Sequence, residues 1–315
     1  LVFGSNWPRF GPPMTLATLA CADIDEADKR RIAGDNLREL IGWCAPAHPK
    51  VEPPAPADEF VALGRTGRRP ADMAFHDCHG HLGPRACHYH LPDCDLDGIV
   101  AEMDRLGVRR VCAFSLAGVF SDERFGNDLV AEAVRRYPDR FVGFTLLNPH
   151  RGPDGMREEL QRGAEMGLRG IKLIAHYQGH AQEGAWLDVP CQWAHERGQI
   201  VLNHNWGSPE NLQRLLEAWG GACFVAGHMT LAYADLMQQY ENLFVCTCPL
   251  LGPRACEQAV AALGADRLLF GSDLQDLPIA WGLAPILLAR IAPEQKRQIL
   301  GQNLQGILER YSRTP

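Results

Sequence analysis

The stretch MAFHDCHGHLG (residues 73–83) starts as a short apolar run and ends in two histidines, His79 and His81, with one glycine between them. In a β-strand alternate side chains point to the same face, so both imidazoles should point in one direction. Further runs of this kind follow along the chain, each nearly all apolar, as expected for parallel strands that are buried on both faces. They occupy residues 108–115, 141–147, 168–174, 200–204, 223–228, 243–248 and 268–272.

Amphipathic segments with helix start and stop signals separate these runs. Ser208 followed by Pro209 is typical of a helix start, and Gly107, Gly198 and Gly264 stand where helices should end. Eight strands, each followed by a helix, predict a (β/α)₈ TIM barrel over residues 71–315. A doubly wound open sheet is the alternative, but no glycine-rich phosphate loop follows the first strand.

An internal repeat sets the N-terminal segment apart. Residues 1–41 align without a gap on residues 268–308, with 14 identities, and LVFGSN matches LLFGSD. A unit of one strand, a loop and a helix cannot bury its own apolar face. We therefore interpret residues 1–44 as the remnant last strand–helix unit of an upstream barrel; an ordinary N-terminal appendage is the alternative. Asn6 stands where the second copy has Asp273.

A proline-rich segment separates this unit from the predicted barrel. The stretch APAHPKVEPPAPADE (45–59) contains five prolines. Such a composition favours an extended chain, so residues 45–70 are predicted to be a linker.

Composition narrows the class of protein. Hydrophobic residues make up 46% and charged residues 22%, which is ordinary for a soluble globular chain. The net charge of −7 argues against nucleic acid or an anionic membrane as a partner. The 11 cysteines are interpreted as reduced thiols, which favours the cytoplasm. A small-molecule substrate is expected, and the expected protein partner is either a second copy of the chain or an upstream barrel domain of the same kind.

Polar side chains end several of the predicted strands. His204 ends strand 5, His228 ends strand 6 and Asp273 ends strand 8, while His79 and His81 end strand 1. In a TIM barrel these strand ends meet at one rim. One histidine alone is more often structural, and Asp273 alone could cap a helix. The coincidence of all five predicts one divalent metal ion, Zn²⁺ first and Mn²⁺ or Fe²⁺ as alternatives.

The sequence resembles the amidohydrolase superfamily. Within it, the resemblance is to the branch of aminocarboxymuconate-semialdehyde decarboxylase and related hydrolases, lactonases and hydratases. The matching motifs are HDCHGHLG (76–83), GIKL (170–173), VLNH (201–204), AGHM (226–229), LLFGSD (268–273) and QILGQNLQGIL (298–308). The resemblance implies that the metal ligands are His79, His81, His204 and Asp273. It also implies that Asp273 is the general base and that His228 polarises the substrate or orients the water.

The chain departs from this family pattern on strand 4. Ile174 stands where many relatives have a histidine, and His176 is a candidate substitute. In two-metal relatives a strand-4 lysine is carboxylated and bridges the ions, whereas in this branch it is unmodified. We favour the second interpretation for Lys172, and therefore one metal ion.

Loop residues around the rim are candidates for substrate binding, together with Lys172 and His176. Arg85, Trp206 and Arg254 follow strands 1, 5 and 7, and an arginine there could hold a substrate carboxylate. Surface arginines are nevertheless more often simply solvated. Cys246 and Cys248 are interpreted as packed thiols rather than nucleophiles.

These observations predict a metal-dependent hydrolase that acts on an amide, lactone or ester-like bond through a metal-activated water. A lyase, either a non-oxidative decarboxylase or a hydratase, is the first alternative, because the same metal site supports it in this branch. A catalytically inactive binding or scaffold barrel is the second. A metal-dependent nuclease is disfavoured by the acidic net charge.

Overall fold

The structure, a computed structural model, describes residues 1–7, 11–44, 54–83 and 95–311. Eight parallel strands follow one another around a single sheet in the order of the chain. Their bounds are β1 Phe75–Leu82, β2 Val108–Ser115, β3 Phe141–Leu146, β4 Gly170–Leu173, β5 Ile200–Asn203, β6 Cys223–Ala226, β7 Leu243–Cys246 and β8 Leu268–Leu269.

Helices lie between the strands and before the barrel. They are α1 Pro12–Ala20, α2 Glu26–Arg30, α3 Asn36–Leu40, α4 Glu59–Thr66, α5 Leu96–Leu106, α6 Leu116–Phe120, α7 Glu123–Arg136, α8 Gly152–Glu165, α9 Asp188–Arg197, α10 Pro209–Ala218, α11 Ala234–Gln239, α12 Ala255–Leu263, α13 Ile279–Leu287, α14 Pro293–Arg297 and α15 Asn303–Tyr311. None of the helices in the described ranges is long and apolar enough to cross a membrane.

Backbone hydrogen bonds join β1 to the residues directly after β8 and so close the barrel. Cys78 N–H donates to the carbonyl of Phe270 at 2.8 Å, and Asp273 N–H donates to the carbonyl of His79 at 3.0 Å. The predicted (β/α)₈ barrel is confirmed. The closure also places His79 next to Asp273, although 194 residues separate them in the sequence.

Side chains of the strands alternate between two buried clusters. Val201 and Phe224 belong to the cluster that packs against the helices. Leu202 and Val225, one residue further along, belong to the cluster inside the barrel. This alternation is why each strand is apolar throughout.

The helix start and stop signals act as predicted. The Ser208 hydroxyl accepts a hydrogen bond from Asn211 N–H at the start of α10, with Pro209 in the first turn. Gly107 and Gly198 end α5 and α9 in the left-handed region, at φ +78° and +60°. Glycine adopts this conformation without steric cost.

Three local features differ from the prediction. β8 ends at Leu269 rather than at residue 272, because the chain turns away to reach a φ of +61° at Asp273. Residues 1–6 form no strand. Within the segment predicted as linker, Glu59–Thr66 forms α4, whose side chains Phe60 and Leu63 are buried.

Glu123 offers a test of how pH affects stability. This buried carboxyl group accepts a hydrogen bond from Asn148 N–H and has Glu159, Arg151 and Arg124 nearby. Burial is the main cause that raises its pKa from 4.5 to about 7. Between these values the folded state binds more protons than the unfolded state, so this group stabilises the fold as the pH falls from 7 to 4.5.

We expect Glu123→Gln to remove this dependence. The free energy of unfolding of the variant minus that of the parent should be about 2 kcal/mol more positive at pH 8 than at pH 4.5. Urea unfolding at the two pH values measures this difference. A difference between variant and parent that does not change with pH would contradict this assignment.

Candidate active site

Two imidazoles and one carboxylate meet at the mouth of the barrel. His79 Nε2 lies 3.5 Å and His81 Nε2 3.4 Å from Oδ1 of Asp273. Each of the three residues contributes one ligand atom to a group whose members all lie within 4.8 Å of one another. The end of β1 and the segment after β8 therefore lie together, which brings three of the four predicted ligands into one group.

The spacing of these atoms suits a single metal ion. Zinc–ligand bonds of 2.0–2.2 Å at tetrahedral angles place two ligand atoms about 3.4 Å apart. The distances of 3.4 and 3.5 Å between the histidine nitrogens and Asp273 Oδ1 match this ligand–ligand distance. Nitrogen and carboxylate oxygen are also ligand types that Zn²⁺, Mn²⁺ and Fe²⁺ accept, so the residues present fit a divalent ion.

A backbone carbonyl fixes the orientation of His79. Its Nδ1 lies 2.8 Å from the carbonyl oxygen of Gly227, which can only accept a hydrogen bond. Nδ1 therefore carries the proton, and the lone pair of the neutral ring is on Nε2, which faces Asp273. Burial, followed by the charge of Lys172, holds the pKa of His79 well below its usual value, so the ring stays neutral.

The two remaining rim histidines form a chain. His228 Nδ1 lies 3.1 Å from the carbonyl oxygen of Cys248, so this nitrogen is the donor. His228 Nε2 then accepts from His204 Nδ1, 2.9 Å away, which leaves the lone pair of His204 on Nε2. Burial lowers the pKa values of both rings, to about 4 for His228. His204 thus has a free ligand nitrogen, but it lies outside the three-residue group described above.

A buried aspartate holds the two halves of the site together. Asp77 is fully buried and accepts hydrogen bonds from His79 N–H and Ser272 N–H, at 2.9 and 3.1 Å, and from the Ser272 hydroxyl. Burial raises its pKa to about 7. Asp77 was not among the site residues predicted from the sequence. The pairing of HDCH on β1 with GSD after β8 was the available signal.

Lys172 lies beneath the histidines at the centre of the barrel. Its Nζ is 3.4 Å from His79 Nε2 and 4.3 Å from the centroid of the Phe114 ring. The side chain is completely buried, and burial lowers its pKa to about 8. An ammonium group in this position favours an anionic group on any molecule that enters the mouth.

Cys248 also contributes to the rim. It lies with His228 and Asp273 in a second group whose ligand atoms are within 4.8 Å of one another. Burial raises the pKa of its thiol well above the usual value, so it is protonated and not a nucleophile. The sequence interpretation of Cys248, a packed thiol at the end of strand 7 that could face the pocket, agrees with this burial.

The structure separates the other candidate residues. The ring centroid of His176 is 4.4 Å from that of His204, so this residue does lie at the mouth. Trp206 instead is a core residue: it is fully buried, packs against the Phe224 ring at a tilt and donates its indole N–H to the carbonyl of Val225. Arg254 is exposed and lines a cavity with α1 and α13 rather than the histidine cluster. Arg85 lies outside the described residues.

Comparison with known proteins gives one family and a set of solved structures. The sequence model of the amidohydrolase family matches residues 76–303. A 2,6-dihydroxybenzoate decarboxylase in complex with 2,6-dihydroxybenzoate is 16% identical with a TM-score of 0.58, over 75% of this chain and 99% of its own. No curated protein is similar enough in sequence to be counted as a relative.

Two further decarboxylases show the same likeness. The 5-carboxyvanillate decarboxylase from Sphingomonas paucimobilis is 16% identical with a TM-score of 0.57, over 76% of this chain and 99% of its own. The dihydroxybenzoic acid decarboxylase from Polaromonas sp. JS666, with bound manganese and 2-nitroresorcinol, is 16% identical with a TM-score of 0.59, over 75% of this chain and 97% of its own. At these identities the likeness shows the fold. The matched structures are covered almost completely, so about a quarter of this chain is additional to them.

Proposed function

Since the chain belongs to the amidohydrolase family, we propose that it is a metal-dependent decarboxylase that releases carbon dioxide from a small organic acid. The observation that carries this proposal is the buried Lys172 ammonium beside His79. A buried cation is costly unless anions compensate it; Asp273 compensates the charge of Lys172 in part, and a substrate carboxylate would compensate it further. That three solved structures of similar fold are decarboxylases supports the choice.

The residues divide into holding and positioning roles. His79, His81 and Asp273 would hold the metal ion, and His204 is the proposed fourth ligand through its Nε2. When bound, the ion would supply positive charge that stabilises negative charge on the substrate. Asp77 keeps His79 and Ser272 in register through its three hydrogen bonds.

The proposed reaction balances without an oxidant. The bond between the substrate carbon and its carboxylate breaks, carbon dioxide leaves, and the electron pair stays on the carbon. That carbon then takes one proton, which comes from water and which the Asp273 carboxylate, at the rim, would accept and pass on. Phe114 and the other buried side chains around Lys172 would shield the carbon from water during this step.

Hydrolysis of an amide, lactone or ester-like bond is the second candidate. It is favoured by the position of the Asp273 carboxylate, which lies 3.4 Å from one histidine and 3.5 Å from the other. There Asp273 could take a proton from an attacking water, with His228 stabilising the developing negative charge.

Isotope labelling separates the two candidates. The manganese-loaded protein should be incubated in H₂¹⁸O with a panel of hydroxybenzoates, including 2,6-dihydroxybenzoate and 5-carboxyvanillate, and with a panel of lactones and amides. Decarboxylation releases one carbon dioxide per turnover and puts no ¹⁸O into the aromatic product. Products that carry ¹⁸O at a new hydroxyl or carboxyl group, without carbon dioxide, would instead support hydrolysis.

Lys172→Met tests directly whether the buried Lys172 ammonium binds the substrate carboxylate. We expect kcat/KM for a carboxylate substrate to fall by about a hundredfold, because the buried charge opposite the carboxylate is lost. Manganese content should stay at the parental level, since Lys172 is not among the ligands. A variant that keeps both its manganese and its rate within about threefold of the parent would remove the basis of the proposal.

A further inference from the structure

Residues 1–44 repeat the helices at the end of the barrel, although residues 1–6 form no strand where the second copy has β8. At the offset of 267 residues found in the sequence, α1 has the same bounds as α13, and α2 has the same bounds as α14. π-helical turns follow in both copies, at residues 31–35 and 298–302. The duplication is therefore a duplication of structure as well as of sequence.

Three hydrogen bonds recur between equivalent atoms of the two copies. In the first copy they join Phe3 N–H to the carbonyl of Ile32, Asn36 Nδ2 to the carbonyl of Leu1, and Lys29 Nζ to the carbonyl of Ala20. In the second they join Phe270 N–H to Ile299, Asn303 Nδ2 to Leu268, and Lys296 Nζ to Leu287. Asn6 and Asp273 share the left-handed backbone, at φ +55° and +61°.

The two copies differ in how far equivalent apolar side chains are buried. Leu1 and Leu40 are 94% and 75% exposed, whereas their counterparts Leu268 and Ile307 are 0% and 5% exposed. The contrast also holds for Val2 with Leu269, Leu16 with Leu283, Leu37 with Leu304 and Ile41 with Leu308. We call the exposed set Leu1, Val2, Leu16, Leu37, Leu40 and Ile41 the open face. Six exposed large apolar side chains, each buried in the other copy, indicate an interaction site.

The second copy shows what such a face binds. Leu268 and Leu269 pair with Val245 and Cys246 of β7. Leu304, Ile307 and Leu308 pack in the inner cluster together with side chains of the other strands. The surface that covers this copy is thus the combined body of β1–β7 and its helices.

The opposite side of the first unit is already covered. α1 packs on α13 and α4, and buries Met14 and Ala17 on the side away from Leu16. Two equivalent helices in contact with each other are the arrangement that a two-fold interface between like domains produces. The first unit therefore lies where the end of a neighbouring barrel would lie.

We propose that the open face binds a body of seven parallel strand–helix units of the same family, and that residues 1–44 complete it as its eighth unit. The completed barrel then contacts the barrel of residues 71–315 through α1 and α13. Because Asn6 replaces the carboxylate of Asp273, the completed barrel lacks one ligand of the His79–His81–Asp273 type.

A fusion protein tests this proposal with the chain's own seven-unit body as the probe. Residues 71–267 are placed before Leu1 of the full chain, and hydrogen exchange is followed in residues 1–6 and 36–41. Exchange in these residues should be at least about a hundredfold slower in the fusion than in the unfused chain, because both segments become buried and hydrogen-bonded. A fusion that also carries Asn6→Asp should bind about two manganese ions per chain rather than one.

Matched variants identify the surface responsible. Leu40→Glu with Ile41→Glu should abolish the slowing in the fusion, whereas Glu39→Lys, at an exposed position of α3, should leave it intact. Unchanged exchange in residues 1–6 and 36–41, or an added segment that stays unfolded, overturns the proposal. The proposal is also overturned if hydrogen exchange in residues 1–6 and 36–41 of the unfused chain slows when the chain dimerises. A second copy of the chain would then be what covers the open face.

Discussion

Asp273→Asn is expected to lose more than about a hundredfold in manganese affinity and at least as much in turnover. Removing groups that merely support a metal ligand commonly costs 10–100-fold, and a ligand itself should cost more. The carboxylate is the member of the cluster that lies within 3.5 Å of both histidine nitrogens. Asparagine is isosteric and tolerates the φ of +61°, so the fold should survive. Elemental analysis and the rate of carbon dioxide release give the two readouts.

The first copy of the repeat supplies a matched control. Asn6→Asp introduces a carboxylate at the position equivalent to Asp273, with the same left-handed backbone conformation. Among the described residues, no pair of histidines like His79 and His81 lies beside it. It should change neither the manganese content nor the rate. A chelator should abolish the activity of the parent, and added Mn²⁺ should restore it.

Two outcomes would count against the assignment of Asp273. The variant could retain full manganese and full activity, in which case the ligand set is wrong. The parent could keep its rate after exhaustive chelation with no detectable metal, in which case the histidine cluster is not a metal site.

The sequence predicted the barrel because its strands are buried on both faces and therefore apolar almost throughout. Such runs remain recognisable even where β4 and β5 contain only four residues each. The meeting of His79, His81 and Asp273 followed from topology alone, since carboxyl ends of barrel strands share one rim. His204 was placed at the rim correctly, but its hydrogen bond to His228 depends on ring orientation, which no sequence pattern encodes.

Other assignments failed for physical reasons that the sequence did not reveal. Trp206 follows β5 as a rim residue should, yet its indole is large enough to fill the space next to Phe224 and satisfies its N–H on a backbone carbonyl. Arg254 follows β7, but it lines a cavity beside α1. The position of α1 could not be predicted, because this helix is not part of the barrel. Proline content concealed α4, because the segment 45–59 has a linker composition while the residues after it have a helical pattern.

Asp58→Ala is expected to destabilise the protein by about 3–5 kcal/mol, the usual cost of breaking a buried ion pair by removing one partner. Lys296 Nζ lies 2.9 Å from Asp58 Oδ2 and 2.9 Å from the carbonyl oxygen of Leu287, and its side chain is completely buried. Without Asp58 the ammonium keeps the Leu287 carbonyl and the Phe60 ring, 5.9 Å away, but has no anion beside it. The same variant removes the cap of α4, where Asp58 Oδ1 accepts from Val61 N–H at 2.8 Å.

The equivalent lysine of the first copy provides the comparison. Lys29 Nζ also donates to a helix carbonyl, that of Ala20, but its acidic partner Glu26 lies 3.5 Å away and is 64% exposed. Glu26→Gln should therefore change stability by less than about 0.5 kcal/mol. Asp58→Asn, which keeps an oxygen for the cap, separates the lost charge from the lost cap.

Urea unfolding of these variants side by side measures the differences. Adding Lys296→Met to Asp58→Ala should recover part of the loss, because the uncompensated charge is then gone. If Asp58→Ala unfolds within about 1 kcal/mol of the parent, the ion pair does not fix α4 to α14. The position of α4 between α1 and α13 must then be stabilised by the apolar contacts of Phe60 and Leu63.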